Sequence, residues 1–136
     1  MPIFNVDGMA SIENEWANNK KILQKRKNSD TSFGQCMGMG QDQDTDVGVD
    51  LNRNFAVDFG QVDSILNYQM DVQLEKKADR NRAGNPCSTN FPGISAFSEP
   101  ETVAFKNFLT AHQNEMAFVI NIHSNGNAFI YPFNGR

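Results

Sequence analysis

The stretch from Ser98 to Phe133 limits the folds open to this chain more than any other. Ser98-Glu99-Pro100-Glu101 has the form of a capping box, with Ser98 as N-cap and Glu101 reaching back to it. Pro100 falls in the first turn, where a missing N–H does no harm. Phe105, Phe108, Leu109 and His112 follow at helical spacing and form one apolar stripe. Ala117 to Ile122 then reads as a buried strand, and Phe129 to Phe133 as the next. Upstream, Pro2 to Val6 reads as a short strand stopped by Asp7-Gly8, and Ser11 to about Lys27 as a helix capped by Ser11. Strand, helix, strand, strand predicts an α/β layer fold.

The totals narrow the function. With 39% hydrophobic and 21% charged residues, the composition is that of a globular protein rather than a disordered one. A net charge of −4 opposes nucleic acid as a partner, because phosphate binding needs a basic face. No membrane span is expected, since the apolar run from Ala117 breaks at Asn121. Length allows one small domain or a piece of a larger one. Thr31 to Gly48 and Gln61 to Pro86 read as polar insertions without periodicity. A calcium loop at Gln41 to Asp46 is rejected, because the central glycine and terminal glutamate of that motif are missing. Cys36 and Cys87 fit two free thiols or one disulfide, and a disulfide closing so long a loop would stabilise the fold by roughly 4 kcal/mol.

Two polar runs carry the candidate chemistry. In Val49-Asp50-Leu51-Asn52-Arg53-Asn54-Phe55, the Arg53 guanidinium can take a carboxylate through two parallel bonds, and Asn52 can add an amide donor. The plainer reading pairs Arg53 with a structural carboxylate such as Asp50. His123 ends the apolar run, at the carboxyl end of a strand, where open α/β sheets place their ligands. The plainer reading there is a partly buried histidine bonded to nearby backbone. Lys25-Arg26-Lys27 reads as a solvated helix end, and His112 as a packing or surface residue.

Together these runs resemble the zinc carboxypeptidases of the carboxypeptidase A/B type. The resemblance rests on Asn5-Val6-Asp7-Gly8, Arg26-Lys27-Asn28, Gly48 to Phe55, Ser98 to Glu101, Ile122-His123-Ser124 and Tyr131-Pro132-Phe133, in the family's order. It implies part of an α/β/α sandwich with a mixed, mostly parallel sheet, truncated at both ends. Residues 1–136 would be the central part of one catalytic domain, with polar loop insertions near 35–47 and 61–86. The implied activity is zinc-dependent removal of C-terminal residues from peptides or proteins, by a monomer in the full-length form. The resemblance makes Zn²⁺ the cofactor and His123 the distant histidine ligand, with Asn52 and Arg53 gripping the substrate's terminal carboxylate. It also implies a Cys36–Cys87 disulfide and a secreted or lumenal location.

The chain departs from the family in two ways. Ser29 stands where the family carries a second arginine that stabilises the oxyanion, which leaves Arg26 as the candidate for that role. The family's His-x-x-Glu zinc pair precedes the Asn-Val-Asp-Gly run, and its general-base glutamate follows the Tyr-Pro-Phe run. The chain is read as lacking both and as inactive alone, and His112 with Glu115 lies in the wrong place. The alternative is a non-catalytic module that binds C-terminal carboxylates. A truncated gene product without a function of its own is a third reading.

Overall fold

The computed structural model describes residues 3–33, 48–57, 59, 85–124 and 127–130. Helix α1 spans Val6–Asn19, a 3₁₀ turn spans Leu51–Arg53 and helix α2 spans Pro100–His112.

α1 begins five residues before the expected cap because Asn5 supplies a better one. Its Oδ1 accepts the Gly8 backbone N–H at 2.9 Å, the bond that asparagine makes at a helix start. The same side chain turns its Nδ2 to the carbonyls of Arg26 and Lys27, 3.1 Å from each. One residue therefore starts the helix and ties it to a distant strand of chain. Ser11, the predicted cap, lies inside the helix and donates to the Asp7 carbonyl. α1 stops at Lys20, whose backbone turns left-handed (φ 54°) and whose N–H closes on the Trp16 carbonyl. The lysines expected in the last turn lie beyond it, and residues 20–33 carry no helix.

The α/β/α sandwich with a mixed, mostly parallel sheet is not what the structure has: among the described residues there is no strand. Ile3 to Asn5 is irregular and Val6 opens α1. Ala117 to His123 is neither helix nor strand, and it is not buried: Phe118 is 77% exposed and Ile122 88%. Phe129 and Ile130 are exposed as well, while Tyr131 to Phe133 lie outside the described residues. The physical reason is that a strand, unlike a helix, has no hydrogen bonds of its own. It exists by pairing, and no described segment pairs with this one. Hydrophobicity and β-propensity made the segment legible as a strand, but neither supplies the partner.

The capping box also takes another form. Glu99 is the N-cap of α2, with no side-chain cap bond, and Pro100 holds the expected first-turn place. Ser98 Oγ donates to Glu99 Oε1 at 2.6 Å instead of accepting a helix N–H, and Glu101 does not reach back. Of the predicted stripe, Phe105 turns inward while Phe108 is largely exposed and rests against the His112 ring.

What holds the described residues together is partly apolar and largely polar. Phe4, Phe55, Phe97 and Phe105 form a cluster of ring contacts, with centroids 5.4 to 6.3 Å apart. Val49, Leu51 and Phe91 are buried beside Lys27, Asn28, Asp50, Asn54, Glu99 and Thr102. Burying so many polar groups is tolerable only when each is bonded. Asn28 gives Nδ2 to Glu99 Oε2 at 2.6 Å and takes the Val49 N–H on Oδ1 at 2.8 Å. Lys27 gives Nζ to the Pro86 carbonyl at 2.8 Å. Backbone bonds from Asn28 N to Val49 O, and from Asp50 N to Phe91 O, hold three segments side by side.

Candidate functional site

Asp50 builds the site. Its Oδ1 accepts the Asn52 N–H at 3.1 Å, which caps the 3₁₀ turn. Its Oδ2 accepts Nε and Nη2 of Arg26, at 3.0 and 2.6 Å. The carboxylate is 3% exposed and the arginine side chain 41%, so the pair sits at a boundary, with the cation open to water. One carboxylate thus joins the basic cluster of residues 25–27 to the turn that carries Asn52 and Arg53. Asn52 is exposed and Arg53 half-buried, and Arg53 Nη1 lies 3.4 Å from the Asn52 carbonyl. The ion pair considered for Asp50 exists, but its partner is Arg26 rather than Arg53.

Chemically, this is a turn carrying an amide and a guanidinium, tied through Asp50 to a second guanidinium. Such an arrangement can receive an anion, above all a planar carboxylate.

His123 lies in the irregular, exposed segment after α2, and no hydrogen bond or ion pair joins it to Arg26, Asn52 or Arg53 among the described residues. The His-x-x-Glu spacing is met at His112 and Glu115, where α2 ends, instead of upstream of the Asn-Val-Asp-Gly run. There Nδ1 and Oε2 are 3.0 Å apart and both side chains face solvent, a surface pair. Among the described residues no group of three or more His, Cys, Asp and Glu side chains comes together to hold a metal. The described residues therefore do not by themselves assemble a zinc centre, and no step through a metal is derived from them. Cys87 is engaged in a disulfide, while Cys36 lies outside the described residues. Ser29 is exposed next to the buried Asn28.

Residues that reading by motif passed over surround the turn. Asn54, Asn28, Glu99 and Thr102 form a buried hydrogen-bonded group behind it. The available signal was at Asn54, a polar residue in the Val49 to Phe55 run; Asn28 follows Lys25-Arg26-Lys27, which reads as solvated, and carried no such signal. Beside this group Glu101 has its carboxyl held above the ordinary value of 4.5, mainly by burial and then by the charges of Asp7 and Glu99. Hydrogen bonds from its own backbone and from Asn28 oppose that shift. Its Oε2 is buried and accepts no hydrogen bond.

A family model described as zinc carboxypeptidase matches residues 1–136, and the chain belongs to that family. Human mast cell carboxypeptidase A is 29% identical over 133 residues, which cover 98% of this chain and 24% of the relative. Human carboxypeptidase A5 is 39% identical over 87 residues, covering 64% of this chain and 16% of the relative. Carboxypeptidase B of Helicoverpa zea is 39% identical over 72 residues, covering 45% and 17%. The chain thus spans about a quarter of the length of the human mast cell enzyme. No described helix is long and apolar enough to cross a membrane.

Proposed function

We propose that this chain supplies the substrate-carboxylate site of a zinc-dependent metallocarboxypeptidase that removes C-terminal residues from peptides or proteins. The observation that carries the reading is the bonding of Asp50 to Arg26 on one side and to the Asn52–Arg53 turn on the other. It holds the donors in place before a ligand arrives, so less ordering is needed on binding. Asn52 and Arg53 grip the terminal carboxylate. Arg26 serves the oxyanion, although Asp50 already occupies two of its donor nitrogens. His123 is the residue of this chain assigned to zinc. The 136 residues are one part of a single catalytic domain, monomeric at full length, working outside the cell or in a lumen. The disulfide at Cys87, assigned to pairing with Cys36, supports that compartment.

By themselves these residues neither hold zinc tightly nor hydrolyse peptides. Nanomolar zinc affinity with turnover of a blocked dipeptide would contradict this. The carboxylate site is tested separately, by titrating the chain with N-acetylglycine and with N-acetylglycinamide. Binding of the acid over the amide, with shifts at Asn52 and Arg53, is the expected result. Equal response to both would remove the assignment.

A second reading is a module that binds C-terminal carboxylates without cutting. The exposed Ser29, where the family carries an arginine, favours it. Introducing Ser29→Arg into a longer chain that contains the family's zinc pair separates the two, since a catalytic ancestry predicts a gain in turnover.

A further inference from the structure

We infer that Asn54 is a positioning residue for the carboxylate site, holding the Asn52–Arg53 turn in the shape that receives the ligand. The inference rests on the carboxylate reading of that turn and adds a residue which the family motif, as read above, leaves without a role.

Asn54 is wholly buried and directly follows the turn. Its Nδ2 lies 2.7 Å from the Pro92 carbonyl, 3.0 Å from the Ser95 carbonyl and 2.8 Å from Ser98 Oγ. Its Oδ1 lies 2.6 Å from Thr102 Oγ1 and accepts the Glu99 N–H at 3.3 Å. The main chain is engaged too: Asn54 N–H donates to the Leu51 carbonyl, and the Asn54 carbonyl accepts the Phe97 N–H. Both hydrogens of the amide and both lone pairs of its oxygen are in use. The orientation is forced. Rotating the amide by half a turn would set its oxygen against two carbonyls and its hydrogens against the Glu99 N–H. Gly93 makes room for this, with φ +86° and a missing Cβ that would lie 2.9 Å from Nδ2.

The turn is therefore held at both ends. Asp50 pins its start through the Asn52 N–H and its own bond to the Phe91 carbonyl, and Asn54 pins its end to residues 92–98 and the first turn of α2. Asn54, being buried, touches no ligand. It acts on Asn52 and Arg53 through one or two peptide units, so its loss would loosen the donors without removing any of them.

The test uses the isotope-labelled 136-residue chain and Asn54→Asp, which keeps the shape but replaces the donor facing Pro92, Ser95 and Ser98 with a carboxylate oxygen, so that the uncharged Thr102→Val controls for the charge it adds. Two readouts are taken: affinity for N-acetylglycine against N-acetylglycinamide, and hydrogen exchange at Asn52 and Arg53 against exchange within α1. Losing one or two buried hydrogen bonds should weaken acid binding about tenfold and leave the amide unchanged. Exchange at Arg53 should rise by a similar factor, with α1 unaffected. Thr102→Val, which removes the hydroxyl that faces both Asn54 Oδ1 and the Glu99 carbonyl and adds no charge, should do the same to a smaller degree and serves if Asn54→Asp does not fold. A wild-type chain that prefers the acid and an Asn54→Asp variant that prefers it equally would overturn the inference alone. So would exchange rising equally in α1, which would make Asn54 a general structural residue. A wild-type chain blind to the difference between acid and amide would overturn the carboxylate reading, and the inference with it.

Discussion

The turn around Asn52–Arg53 and the segment from Ala117 to Ile130 have opposite relations to their own composition. The first is flanked by polar residues that are buried, Asp50 and Asn54; in the second, the apolar residues described at 117–124 and 127–130 are exposed. In the turn region the buried Asp50, Asn54 and Asn28 meet partners from remote parts of the chain, and those partners make burial tolerable. The apolar segment has no such partner among the described residues, and hydrophobicity alone does not tell it where to go. Burial thus depends on whether complementary groups are within reach, and only secondarily on what a residue prefers in isolation.

The largest break in that contrast should come from Gly93→Ala. A Cβ there would lie 2.5 Å from Ser98 Oγ, on a backbone with positive φ. Strain and displacement of the Asn54 amide should cost about 3 kcal/mol, read as a lower denaturation midpoint. A variant as stable as wild type would mean that the buried polar group is not held tightly.

Asp50→Ala should cost less, about 2 kcal/mol, by removing the cap on the Asn52 N–H and the bonds to Arg26. The exposure of Arg26 keeps the figure down, because water can take over its charge. Arg26→Ala should be the worse of the two single changes if instead the buried carboxylate left behind dominates. Comparing the two variants therefore weighs the lost cap against the buried carboxylate left unpaired.

Smaller again is the pH effect of Glu101. Its folded-state value lies above the unfolded one, so the folded state holds the proton more tightly and ionisation works against folding. The penalty is absent below pH 4.5, grows as pH rises from there through the raised folded value, and persists at neutral pH. Glu101→Gln should flatten that loss and slightly raise the melting temperature at pH 7. A variant with the wild-type pH profile would refute it.

Smallest should be Ile122→Ser, within about 0.5 kcal/mol, because the side chain is already in water. A cost above that would mean the apolar segment packs against something, and the contrast between the two regions would narrow.

Much of this was readable in the residues. Pro100 marked the first turn of α2, and the Asp50-Leu51-Asn52-Arg53 run marked a place where a side-chain amide and a guanidinium stand together. The strand at Ala117 to Ile122 and the Ser98 cap were misread for one reason. Each was inferred from local preference, and in each a distant partner decided the outcome, by its absence among the described residues in the first and by its presence in the second.

The sequence by itself determined the family, the first-turn place of Pro100 in α2 and the residue types at the Asn52–Arg53 turn, because these depend on order and on neighbours a few positions apart. Only the tertiary structure decided that Arg26 takes Asp50 across 24 positions, that Asn54 reaches Ser98 across 44, and that Asn28 meets Glu99 across 71. Hydrogen bonds of that reach are chosen by which groups the folded chain brings within about 3 Å of each other, and local spacing carries no information about that distance.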